Sequence, residues 1–100
     1  MATDTRRIAK IMKALSNENR LGLYLEIAKH QESDFADPGC FVTEIMEFFK
    51  LSAPTISHHL KELANAELIT TERRGKLLVA RINKETVGEV QEVLAIVQRA

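Results

Sequence analysis

One hundred residues, 45% hydrophobic and 28% charged, match a single globular domain spanning residues 1–100 and exclude a disordered or low-complexity chain. A chain this short buries only about two-thirds of its surface by itself, so a second copy would add to its stability. The formal net charge of zero excludes a uniformly basic molecule, but charge is segregated: residues 50 to 84 hold seven Lys or Arg against three Glu, and a polyanion responds to the face presented to it rather than to the total.

In chain order, residues 5 to 15 place Ile8, Ile11, Met12 and Leu15 on one stripe with Arg7, Lys10 and Lys13 elsewhere, which predicts an amphipathic first helix. Ser16 or Asn17 caps a second helix over 17 to 30, with Leu21, Leu25 and Ala28 inward and Tyr24 and Ile27 widening the stripe. The pattern then fails from Gln31 to Phe41, where Ser33, Asp34, Asp37, Pro38 and Gly39 predict an acidic loop. A short helix over 42 to 50 turns Val42, Ile45, Met46 and Phe49 inward and carries Glu44 near its N-terminus, where negative charge is favoured.

The stretch LSAPTISHHLKELANAELI at 51 to 69 organises the chain. Ser52 is a good N-cap and Pro54 is tolerated in the first turn. Ile56, Leu60 and Leu63 recur at helical spacing and would face a core. The opposite face carries Thr55, Ser57, His58, Lys61 and Glu62. Its hydroxyls, imidazole and ammonium can hydrogen-bond base edges and phosphates if the helix lies in a major groove, and an ordinary solvated helix face is the alternative. Short helix, tight turn and longer helix make a helix-turn-helix.

Residues 68 to 72 and 77 to 82 read as strands, joined by Arg73, Arg74, Gly75 and Lys76, with glycine supplying the positive φ of a hairpin tip. Such a tip can grip phosphate or minor groove; the bland reading is an edge hairpin kept soluble by charge. Asn83 caps a last helix over 84 to 99, in which Val87, Val90, Leu94 and Val97 form a coiled-coil-like seam that Val93 and Ile96 broaden. The expected fold is mainly α (α+β), with about five helices and a two-stranded hairpin. The helices at the two chain ends present apolar stripes that a twofold dimer would cover.

These residues identify the chain as resembling the ArsR/SmtB family of winged-helix repressors. ALSNENRLGLYLEI at 14 to 27 looks like its helix signature, VTEIMEFFKLSAPTISHHLKELANAELI at 42 to 69 its helix-turn-helix, and ERRGKLLVARIN at 72 to 83 its wing; the resemblance covers about residues 6 to 97. It implies a homodimeric repressor whose recognition helices enter successive major grooves of an inverted-repeat operator. The DNA-binding candidates are then Ser52, Thr55, Ser57, His58 and Lys61 with Arg73, Arg74 and Lys76. The dimerisation candidates are Ile8, Ile11, Met12, Leu15, Val87, Val90, Leu94 and Val97, and His59 is read as structural.

The departures concern sensing. Where relatives carry a Cys-x-Cys pair, this chain has Phe41 and Thr43, with Cys40 one residue off, and residues 84 to 99 lack the His and Asp of the family's C-terminal metal site. A single cysteine with His30, His58 and His59 offers no recognised metal spacing, so neither common metal site is expected to be intact and no cofactor is called for. One cysteine also excludes an intrachain disulfide. A small-molecule or redox effector stays open, with Cys40 read first as a buried, inert thiol. No apolar run spans a bilayer and MATDTRRIAK resembles neither signal peptide nor anchor, so a cytoplasmic, non-membrane protein is expected. No glycine-rich phosphate loop or nucleophile elbow points to an enzyme. The competing expectation is a winged-helix protein-interaction module that does not touch DNA.

Overall fold

The structure, a computed structural model, describes residues 4–33, 40–47 and 49–100. Residues 34 to 39 of the expected acidic loop, and the side chains of Cys40 and Glu44, lie outside that description. Four helices of ten residues or more, α1 (Thr5–Ala14), α2 (Glu18–Ser33), α4 (Ala53–Asn65) and α5 (Lys84–Gln98), are joined by a five-residue α3 (Val42–Met46) and by strands β1 (Cys40–Phe41), β2 (Ile69–Arg74) and β3 (Leu77–Ile82). Each long helix starts on a short polar side chain that accepts an otherwise unpaired backbone N–H. Asp4 takes Arg7 N and Ser52 takes Thr55 N, while Asn83 takes Glu85 N and Asn17, rather than Ser16, takes Arg20 N at 3.0 Å.

Ahead of α4, three boundaries differ from expectation. Helix α2 runs past His30 to Ser33, α3 ends at Met46 instead of continuing to Lys50, and Cys40–Phe41 form a strand rather than loop. The sheet therefore has three strands in the order β1-β3-β2, with Cys40 opposite Ala80 and Phe41 opposite Val79. Two residues are too few to show strand alternation, so β1 is legible only once β3 is there to receive it. Gln31 Oε1 also accepts the Ile82 N–H at 2.8 Å, tying the longer α2 to the sheet.

The core gathers Ile11 and Ala14 from α1, Leu23 and Ile27 from α2, Val42 and Ile45 from α3, Ile56, Leu60 and Leu63 from α4, and Leu68, Ile69 and Ala80 from the sheet region. Helix α2 is rotated from its expected setting. Leu23 and Ile27 are sealed at 1% and 0% exposure, whereas Leu21 and Leu25 remain 38% and 51% exposed. Leucine occurs on both faces of this helix, so periodicity alone admitted two stripes, and the tertiary contacts selected the 23/27 pair.

Helix α4 ends in a Schellman turn: Leu68 N donates to Leu63 O and Glu67 N to Ala64 O, each at 3.0 Å. The residue in the left-handed position is Glu67, with φ 61°. A side chain there costs about 1–2 kcal/mol relative to glycine, because Cβ crowds the following carbonyl.

Candidate nucleic-acid interface

Helix α4 presents two unlike faces. Ile56, Leu60 and Leu63 are buried against the core, which fixes the helix in rotation and leaves Ser52, Ser57, His58 and Lys61 exposed and Thr55 partly so. Ser52 Oγ lies 2.9 Å from Thr55 Oγ1 as well as capping Thr55 N. One of these hydroxyls therefore donates to the other, while Ser57, His58 and Lys61 point outward on the same face.

The adjacent histidines divide the same way. His58 is exposed, whereas His59 is 6% exposed and its Nδ1 has no hydrogen-bond partner among the described residues. Burial, and secondarily the charges of Arg20 and His58, push the His59 pKa down. Enclosure beneath α4 thus disfavours the charged form of this imidazole.

The hairpin turns more tightly than expected. Arg74 pairs with Leu77, so the turn is Gly75–Lys76 alone and both arginines belong to β2. Positive φ falls on Gly75, at 62°, and not on Lys76, the pattern of a II′ turn. Alternation then sends Arg73 and Arg74 to opposite faces. Arg74 shares a face with Glu72 and binds it at 3.1 Å, and Arg81 binds the same carboxylate at 2.9 Å. Held mainly by Arg81, Glu72 has its pKa lowered. Among the described residues Lys61, Arg73 and Lys76 form no ion pair, so Arg73 and Lys76 are the wing cations left for an outside anion. Arg73 and Lys76 lie at the end of β2 away from its junction with α4.

The chain-end helices complete the picture. Helix α5 buries only Thr86 fully. Val87 and Val90 are partly covered, while Leu94, Ile96 and Val97 are 55%, 51% and 67% exposed. On α1, Met12 is 38% exposed and Ile8 and Leu15 are partly covered, but Ile11 is enclosed at 1% within its own subunit and so offers no surface to a second one. Arg7 joins the two helices by donating from Nε to Glu89 at 2.7 Å, and its Nη1 reaches Glu67 at 3.3 Å. Sequence reading missed Arg7, Glu67 and Thr86; nothing in their spacing marks them, because their partners lie far along the chain. Among the described residues no three His, Cys, Asp or Glu side chains come together in a group able to hold a metal ion, and no helix is long and apolar enough to cross a membrane.

Known proteins match this arrangement. Residues 36–71 match the family model for bacterial regulatory proteins of the arsR family. An arsenical resistance operon repressor of Staphylococcus xylosus is 30% identical over 92% of this chain and 81% of its own length. The transcriptional repressor SdpR of Bacillus subtilis is 33% identical over 73% of this chain and 72% of its own. In fold, the crystal structure of an ArsR family transcriptional regulator superposes with a TM-score of 0.81 at 22% identity, covering 99% of this chain and 94% of the other. A homodimeric winged helix-turn-helix DNA-binding domain from Mycobacterium bovis gives 0.68 at 21% identity, covering 94% and 81%. The fold is thus a winged helix-turn-helix, and the chain belongs to the arsR family of bacterial regulatory proteins.

Proposed function

We propose that this chain represses transcription as a twofold dimer bound to duplex DNA. The observation that carries the reading is the outward face of α4: Ser57, His58 and Lys61 exposed on a helix whose other face is locked into the core. Ser57 and His58 read base edges, Lys61 and the wing residues Arg73 and Lys76 hold phosphates, and Ser52 and Thr55 set the helix start, where free N–H groups favour an anion. Arg74 acts within the wing through Glu72 and contributes less to the DNA. Met12, Leu94 and Val97, flanked by Ile8, Leu15, Val87 and Val90, form the surface that a second copy covers, with α1 and α5 of both subunits meeting. That pairing sets two recognition helices about 34 Å apart, one turn of duplex, and calls for an inverted repeat. The relatives support this reading, since the arsenical resistance operon repressor and SdpR are repressors and one solved neighbour is a homodimeric DNA-binding domain.

Selection of bound sequences from random duplex, followed by titration across salt, tests the proposal. An inverted repeat should emerge, and affinity should fall steeply as salt rises, by about 0.9 in logarithmic slope for each phosphate held. Half-sites without symmetry, or retention that ignores salt, contradict it. Repeating the selection with metals, oxidants and small molecules identifies an effector if binding is released.

A further inference from the structure

The corner where α4 turns into β2 gathers more ties than a helix end needs. Glu67 stands in the left-handed conformation at φ 61°. Its carbonyl accepts Thr86 Oγ1 at 2.6 Å, and Thr86, at the start of α5, is 0% exposed. Its carboxylate lies 3.3 Å from Arg7 of α1, whose Nε holds Glu89 of α5 at 2.7 Å. The next residue, Leu68, takes the Asn83 N–H on its carbonyl at 3.0 Å. One residue at the end of the candidate recognition helix is thereby attached to both helices offered to a second subunit.

Glycine would serve this turn with less strain and would leave the Thr86 bond intact, because that bond uses the main chain. What a glutamate adds over glycine is the link to Arg7, and it is added at a position where a side chain is unfavourable. From this we infer that Glu67 is a positioning residue: paired with Arg7, it fixes the attitude of α4 toward α1 and α5, and so the pose in which the recognition helix is presented. The inference rests on the DNA-binding reading above for its functional consequence, but its geometry stands apart from it. Because the Arg7 and Glu67 side chains are 30% and 62% exposed, solvent screens the pair, and the expected effect is about two- to fivefold in affinity.

The test is E67G in the full chain, read by melting temperature, by binding to a mixed-sequence duplex at low salt, and by the α4–α5 angle from residual dipolar couplings. Removing an acidic charge would by itself tighten binding to a polyanion. The expected result has the opposite sign: E67G melts at or above the parent temperature yet binds about two- to fivefold more weakly, with the α4–α5 angle shifted or averaged. E67Q, which keeps the side-chain length, should also weaken binding, and in an R7Q background E67G should weaken it no further. Parent-like or tighter binding by E67G with unchanged couplings overturns the inference. If the parent itself retains no duplex, the DNA reading fails, and the helix angle alone decides whether Glu67 is a positioning residue.

Discussion

Helices α4 and α5 are of similar length, 13 and 15 residues, but their apolar residues are used differently. Helix α4 buries Ile56, His59, Leu60 and Leu63 within its own subunit, whereas α5 buries only Thr86 and leaves Leu94, Ile96 and Val97 more than half exposed. The first helix is positioned by one chain folding; the second carries an apolar face that one chain does not cover. A polar outer face on a helix whose other side is buried suits recognition, and an exposed apolar face suits a second copy.

The largest expected effect separates the two kinds of burial. Leu63→Ala removes a side chain that is 0% exposed, and should lower unfolding free energy by about 2–5 kcal/mol in urea titration whatever the protein concentration. Leu94→Asp with Val97→Asp should instead leave the single-subunit core intact, halve the sedimenting mass, and weaken duplex binding on the order of a hundredfold by removing the second, linked half. If the double variant unfolds at every concentration, α5 belongs to the same core as α4 and the contrast fails. Ser52→Ala tests the start of α4 alone. Loss of a cap costs about 1 kcal/mol, visible as a lower melting temperature.

Much of this contrast was legible in the residues. Ser52, Pro54 and the 56/60/63 spacing mark α4 because the signals are local, and Asn83 with the 87/90/94/97 seam marks α5 for the same reason. What was not legible depends on distant partners. Strand β1 exists through pairing with β3, the choice of Leu23 over Leu21 follows from where α2 meets the core, and Arg7 finds Glu89 across 82 residues. The split between the two arginines lay between these cases: strand alternation supplies it, but only once the turn is known to be Gly75–Lys76.

Smaller effects sharpen the picture of the outer face. Arg73→Ala should reduce the salt slope of duplex binding by about 0.9, while Arg74→Ala, already bound to Glu72 at 3.1 Å, should change it less. Equal losses would mean that the Glu72 pair opens on DNA. The mildest effect concerns acid. Burial lowers the His59 pKa in the folded state, so the unfolded chain takes up a proton more readily. Stability should be complete above the ordinary histidine pKa, about 6.5, and fall as pH drops below it. His59→Phe should flatten that part of the melting-temperature profile, and an unchanged profile would locate the acid sensitivity elsewhere.

The most direct measurement is sedimentation equilibrium of the free chain and of the chain with a duplex carrying its selected sequence. The expected result is twice the 11.3 kDa chain mass when free, and two chains per duplex when bound, at micromolar concentration. A chain that sediments singly in both states would contradict the pairing of α1 and α5 on which the reading of α4 and the wing depends.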